Sequence, residues 1–229
     1  MALAIFDLDN TLLAGDSDYL WGVFLSETGA VDRLHYEKEN ERFYRQYLAG
    51  ELDIYEFLRF SMKPLRDNPL GKLQAWRQEF VEQKILPIIL DPAVELVEKH
   101  RQQGDTLLII TATNSFVTAP IADLFGIKHL IATEPEMRDG HFTGEVEGLP
   151  SFREGKVQRL NEWLSNHSLS LEGSSFYSDS HNDMPLLERV DHPVAVDPDP
   201  QLMDRAKTQG WPVISLKSPS RPGADRPSG

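Results

Sequence analysis

The sequence predicts an α/β fold: a doubly wound, mostly parallel sheet interrupted by an inserted all-helical segment. Three observations carry this expectation. A short apolar run, Ala2 to Phe6, opens the chain and ends in acids, as a buried parallel strand with chemistry at its carboxyl end would. Residues 16–84 hold long amphipathic, aromatic-rich patterns with no strand signal. From Asp91 onward, short apolar runs alternate with helical patterns, the rhythm of a parallel sheet.

Within the insertion, helices are expected over Tyr19 to Ser26, Asp32 to Ala49, Asp53 to Met62 and Leu70 to Lys84, punctuated by Gly29, Gly50 and Asp67-Asn68-Pro69. Ala93 to Gln102 follows as a helix with Pro92 at its start and Gly104 past its end. Thr106 to Ile110 reads as a second buried strand, Ser115 to Phe125 as a helix closed by Gly126, and His129 to Thr133 as a third strand. Phe142 to Val146, between Asp139-Gly140 and Gly148, belongs to a β-hairpin. Helices over Gly155 to Asn166, Asp183 to Val190 and Gln201 to Gln209 then alternate with strands over Ser175 to Tyr177, Val194 to Val196 and Val213 to Leu216. The expected division is a core of residues 1–15 and 85–217, a helical segment of residues 16–84, and a Pro/Gly/Ser-rich tail, residues 218–229, that is disordered.

The formal net charge of −13 argues against nucleic acid and anionic membrane as partners. It also means that a phosphate-bearing substrate must be met by a metal cation, a lysine and helix N-termini that reverse the field locally. The chain has no cysteine, hence no disulfide and no thiol chemistry, which fits a cytoplasmic location. Its first residues lack a basic region and a long apolar core, so no secretory signal is expected. No apolar run is long enough to span a membrane. The sequence sets no oligomeric state.

Residues 5–12, Ile-Phe-Asp-Leu-Asp-Asn-Thr-Leu, carry the most information. Asp7 and Asp9 stand at i and i+2 on a strand end and so point to the same side. One can attack and bind a metal while the other handles protons, an arrangement suited to phosphoryl transfer through an aspartate nucleophile. An acid pair after a strand also serves as a turn and helix cap, so the downstream motifs matter. Thr111-Ala112-Thr113 ends the second strand and leads into a helix, where a hydroxyl and free N–H groups cradle phosphate oxygens. Lys156 opens a helix from which it can reach a phosphate as a point charge. Asp179-Ser180-His181-Asn182-Asp183 closes the fourth strand of the parallel series, with Asp179 placed like a ligand for a hard metal. His181 lacks a second His or Cys at ligand spacing, so oxygen ligands and magnesium are expected rather than zinc. In a doubly wound sheet the carboxyl ends of the strands border one crevice, which brings these elements together.

This ordered set resembles the haloacid dehalogenase (HAD) superfamily over residues 1–217. The insertion after the first motif resembles the type-one cap of its phosphoserine-phosphatase-like branch. The resemblance implies a Rossmann-like HAD core and a Mg²⁺-dependent phosphomonoester hydrolase working through an aspartyl phosphate. On it, Asp7 is the nucleophile, and Asp9 protonates the leaving alkoxide and then deprotonates the attacking water. Thr111, Ala112 and Lys156 hold the transferring oxygens. The metal lies on the Asp7 carboxylate, the Asp9 main-chain carbonyl and Asp179, with Asn182 and Asp183 behind it, Asp183 either on metal waters or steadying Lys156. Superfamily members that store the phosphoenzyme resemble one another in having Thr where Asp9 stands, so Asp9 favours turnover.

The resemblance also implies a small substrate with an amino group, met by Asp16, although Asp16-Ser17 reads equally as a helix N-cap. Histidinol phosphate and phosphoserine both carry the amine. Only the latter adds a carboxylate, for which Arg42, Arg45 and Arg59 are candidates. Thr111-Ala112-Thr113 departs from the Ser-Gly-Gly typical of phosphoserine phosphatases, and Asp179 to Asp183 departs from their Gly-rich acidic loop. Trp21, Phe24, Phe43, Tyr44, Tyr47, Tyr55, Phe57 and Phe60 are mainly helical core, with one or two suited to face an imidazole. The reading therefore leans to histidinol phosphate. Rival classes are a receiver-like phospho-signalling domain, a phosphotransferase on the same scaffold, and a phosphate-binding protein without activity. The first would place its acceptor aspartate after a middle strand and would lack the insertion.

Overall fold

The computed structural model describes residues 2–217. The tail expected to be disordered, residues 218–229, lies outside the described residues. At the centre of the described residues are seven strands: β1 (Leu3–Phe6), β2 (Thr106–Asn114), β3 (His129–Arg138), β4 (His141–Glu147), β5 (Ser175–Ser178), β6 (His192–Val196) and β7 (Val213–Ile214). They lie in the order β4-β3-β2-β1-β5-β6-β7, and every pair is parallel except the β3–β4 hairpin. From β1 the chain builds outward through β2 and β3, then returns to the other flank of β1 and continues through β5, β6 and β7. That reversal makes β1 the switch point, and the carboxyl ends of β1, β2 and β5 border the crevice beside it.

Alternation along β1 explains how both faces are covered. Ala4 and Phe6 join one apolar cluster, with Ile109, Val97 of α6 (Asp91–Gln102) and Val117 of α7 (Ser115–Leu124). Leu3 and Ile5 join the opposite cluster, with Leu160 of α8 (Glu154–His167), Leu187 of α9 (Met184–Leu187) and Leu202 of α10 (Pro200–Gln209). A strand buried on both faces reads as an unbroken apolar run for this reason.

Five helices follow β1 before α6: α1 (Ser17–Glu27), α2 (Arg33–Ala49), α3 (Ile54–Ser61), α4 (Lys63–Asp67) and α5 (Leu70–Phe80). Asp16, Asp32 and Asp53 cap the first three, their side chains accepting the N–H groups of Tyr19, His35, and Tyr55 with Glu56. Trp21 and Phe24 of α1 pack on Phe80 of α5, with ring centroids 5.2 and 5.9 Å away. All three belong to the same apolar cluster as Phe6, so α1 and α5 are anchored on the sheet's own core. Phe43 of α2 meets Phe57 and Phe60 of α3, each at 5.3 Å, in an aromatic layer further out. The two connections to the insertion run side by side, with Leu13 bridged to Ile89 and the Ala14 N–H donating to Ile88 O at 2.8 Å.

Several elements differ from the sequence expectation. β2 continues to Asn114 instead of stopping at Ile110, because Asn114 pairs with Thr133 beyond an irregularity in the β2–β3 ladder. β3 runs to Arg138, its second half pairing with β4. The helix expected to reach Lys84 ends at Phe80 and passes through a π turn, Val81–Ile85, ahead of Pro87. The one expected over Asp183 to Val190 is a 3₁₀ turn, His181–Asp183, followed by the single turn of α9. The strand expected from Val213 to Leu216 pairs only at Val213–Ile214. Short α4 was not foreseen. No helix among the described residues is long and apolar enough to cross a membrane.

Candidate active site

Asp7 follows the last residue of β1, and its N–H extends the ladder to Tyr177 O at 2.9 Å. It is buried, and Lys156 Nζ donates to its Oδ1 at 2.7 Å. Lys156 also reaches Asp183 at 2.7 Å, and Ser178 Oγ donates to the same Asp183 carboxylate at 2.7 Å. Lys156 lies in the first turn of α8, which approaches Pro150 so closely that a Cβ on Gly155 would sit 2.2 Å from Pro150 O. Glycine before the lysine is therefore a steric requirement. Thr11 Oγ1 stands 3.1 Å from Asp179 Oδ1 and 3.4 Å from Asp7 Oδ2, and accepts the Asp179 N–H.

Burial pushes the Asp7 carboxyl up to about 7; Lys156 opposes the rise, while Asp183 and Asp9 add to it. Burial likewise raises Asp179 well above the usual carboxylate range, with Asp7 and Asp183 contributing. For Lys156, burial works against the charge, yet Asp183 and Asp7 hold the ammonium above its ordinary value. Two carboxylates thus share one ammonium, and a third, Asp179, stands beside them without a cation of its own among the described residues. That surplus of oxygen donors fits a hard dication. Among the described residues no three His, Cys, Asp or Glu side chains converge on one point. The expected set of Asp7, Asp9 and Asp179 has two side-chain ligands, its third donor being a main-chain oxygen.

The Asp9 side chain turns toward β2 and α1. Its Oδ1 accepts the Ser17 N–H at 2.6 Å, and its Oδ2 accepts Thr113 Oγ1 at 2.9 Å and Thr111 Oγ1 at 3.3 Å. Two hydroxyls and an amide therefore fix the carboxylate's orientation.

A cavity opens beside these groups. It is lined by Asp7, Asp9, Thr111, Ala112, Thr113, Lys156, Asn182 and Asp183 from the strand ends, and by Asp16, Asp18 and Asn40 from the insertion. Tyr19, Phe43, Tyr44, Tyr47, Phe57 and Phe152 form aromatic walls. Asp16 Oδ1 caps α1 through the Tyr19 N–H at 2.9 Å. Burial and the neighbouring Asp9 push the Asp16 carboxyl up to about 7. Asp18 is raised well above its usual range by burial, then by Asp16 and Asp9.

A model of the haloacid dehalogenase-like hydrolases matches residues 4–188. The chain belongs to this family. It is 45% identical to a histidinol-phosphatase of Neisseria meningitidis serogroup C (strain 8013), covering 94% of this chain and 99% of that protein. A crystal structure of a protein of unknown function from Bordetella pertussis Tohama I superposes with a TM-score of 0.89 at 48% identity, covering 94% of this chain and 98% of that one. A substrate-bound phosphoserine phosphatase superposes with a TM-score of 0.70 at 18% identity, covering 94% and 93%, a likeness of fold. The chain is a phosphatase of the HAD superfamily.

For this HAD phosphatase, the fold gathers Asp7, Asp9, Thr111, Ala112, Lys156, Asp179 and Asp183 at one end of the sheet, as the motifs implied. Asn182 also lines the cavity, where its Oδ1 accepts Arg153 Nε at 3.0 Å and its Nδ2 donates to Tyr47 O at 3.4 Å. Arg42 is paired with Glu39 and Glu56, Arg45 with Glu41, and Arg59 lines a different groove, so none of these arginines lines the cavity. Sequence reasoning missed Thr113, Asp18, Arg153 and the bridging place of Thr11. Thr11 and Thr113 stood inside the first and second motifs, whereas Asp18 and Arg153 carried no signal.

Proposed function

We propose that this phosphatase hydrolyses histidinol phosphate, a small phosphomonoester bearing an amine and an imidazole and no carboxylate. One observation carries the reading. The cavity beside Asp7 has Asp16 and Asp18 on one side and aromatic rings around it, and Lys156, already held by two aspartates, is its only cation among the described residues. An ammonium or imidazolium finds carboxylates and π faces there. The carboxylate of phosphoserine would face like charge with no arginine to receive it. The 45% identity to a histidinol-phosphatase supports the same choice.

In this proposal Asp7 attacks phosphorus in line, and the bond from phosphorus to the leaving alkoxide breaks as Asp9 gives its proton to that oxygen. Asp9 then takes a proton from water, the water oxygen attacks the aspartyl phosphate, and inorganic phosphate leaves with Asp7 restored. Ser17, Thr111 and Thr113 hold Asp9 in place for both steps, the Thr111 hydroxyl and Ala112 N–H receive phosphate oxygens, and Asp183 steadies Lys156. The Asp7 and Asp179 carboxylates and the Asp9 main-chain carbonyl would hold Mg²⁺, which when bound neutralises charge on the transferring phosphoryl group. Residues 16–84 act as the cap over a core of residues 1–15 and 85–217. We assign the reaction to the cytoplasm, in keeping with a chain free of cysteine.

The test is a panel of phosphomonoesters assayed with and without Mg²⁺. Histidinol phosphate should exceed phosphoserine in kcat/KM by about 10²-fold or more. Equal or better turnover of phosphoserine would overturn the substrate reading. Failure to cleave even p-nitrophenyl phosphate would favour a receiver or a binding protein.

A further inference from the structure

We infer that Arg153 is a positioning residue that latches the C-terminal end of α2 over the crevice by bridging Gly50 to Asn182. The inference rests on the reading of α2 as a wall of the substrate pocket.

Arg153 Nε donates to Asn182 Oδ1 at 3.0 Å, while its Nη2 donates to Gly50 O. One planar guanidinium thus engages the loop after β5 and the end of a helix from the insertion. Gly50 is the C-cap of α2, where carbonyls lack intrahelical partners and the helix dipole is negative. A cation there answers both needs. Lysine could supply the charge but not two divergent hydrogen bonds from one rigid fork.

Further contacts join the same two elements. Tyr47 OH lies 3.1 Å from Ser180 Oγ, and Asn182 Nδ2 faces Tyr47 O at 3.4 Å. Gly50 has φ 72°, and a Cβ there would come within 2.9 Å of His181 Nε2 and 3.4 Å of Arg153 Nη2. Glycine is needed both for the turn and for the close seat of α2 on the loop.

Arg153 itself has φ 49° and ψ −121°, a backbone conformation that non-glycine residues rarely adopt. Such a conformation persists when its surroundings over-determine it. Here the side chain is fixed at both acceptors, and the Arg153 carbonyl accepts the Lys156 N–H at 3.0 Å as α8 begins. Tyr47, Phe152 and Asn182 all line the cavity. The latch therefore sets the distance between the aromatic wall and the strand ends without Arg153 touching the reacting atoms.

The experiment is amide hydrogen exchange on the Mg²⁺-loaded enzyme, with histidinol phosphate kinetics in parallel, for wild type, Arg153→Gln and Arg153→Lys. Loss of a hydrogen bond to a charged group should speed exchange over residues 46–52 by about tenfold or more in both variants, with β1 and β5 amides unchanged. KM should rise by a similar factor and kcat should change less. Gly50→Ala, with Arg153 intact, should loosen the same amides and serves should Arg153→Gln fail to fold. Unchanged exchange in a folded Arg153→Gln enzyme overturns the latch, as does complete restoration by lysine or an inert Gly50→Ala. If the wild type cleaves no phosphomonoester, the functional reading falls, while the exchange data still decide the latch.

Discussion

Two groups of aspartates face the same cavity, and only one has a cation of its own. At the strand ends, Asp7 and Asp183 share Lys156, and Thr11 links Asp7 to Asp179. On the insertion, Asp16 has a helix N–H as partner and Asp18 sits beside Asp16 and Asp9, with no lysine or arginine of the insertion lining the site. The first group is organised for chemistry before any ligand arrives. The second has no counter-ion of its own among the described residues, and a basic substrate would supply one. Like charges set close together are costly, and perturbed carboxylates in a cleft cluster at functional sites.

The sharpest way to break the comparison is Asp7→Asn. It should lower kcat by about 10⁴-fold or more while the folded protein persists, as measured by phosphate release. Lys156→Met comes next: it leaves Asp7 and Asp183 buried without a counter-charge and should cost about 3–5 kcal/mol in denaturant unfolding. Asp9→Asn should slow turnover by about 10²–10⁴-fold. Full-rate hydrolysis of the phosphoenzyme by that variant would remove Asp9 from the mechanism.

The second group is tested by smaller effects. Asp18→Asn should raise KM for histidinol phosphate by about 10–100-fold, the loss of one charged hydrogen bond, with little change for p-nitrophenyl phosphate. An equal loss on both esters would place Asp18 outside substrate recognition. Asp16→Asn keeps a good helix cap and removes the titration. Because the folded Asp16 carboxyl is pushed up to about 7, the folded chain holds a proton that the unfolded chain releases near pH 4. Its contribution to stability is complete below about pH 4, declines as pH rises, and is lost above about pH 7. Melting curves of the metal-free protein should show Asp16→Asn gaining on the wild type across that window. A constant difference would mean that Asp16 titrates normally.

Much of this was legible from residue order. The apolar run into Asp7-Leu8-Asp9 announced a strand end with two acids on one side, and Asp16, Asp32 and Asp53 announced helix starts. The arrangement of Thr111, Lys156 and Asp179 followed once the strands were assigned to a doubly wound sheet. The extension of β2 to Asn114 escaped because it depends on pairing with Thr133, a neighbour supplied by another strand. Thr113 escaped for a similar reason, since its hydroxyl meets an aspartate 104 residues earlier. The arginines of the insertion looked available for a substrate carboxylate until the fold paired Arg42 with Glu39 and Glu56.

The sequence by itself determined the local features: which segments form strands, which helices are capped, and which side chains with chemical capacity follow them. Local sterics and short-range hydrogen bonds set these, and both act between residues close along the chain. Only the tertiary structure decided which aspartates receive a lysine and which are left for a ligand. Charge compensation depends on distance through space, and Lys156 meets Asp7 across 149 residues of chain.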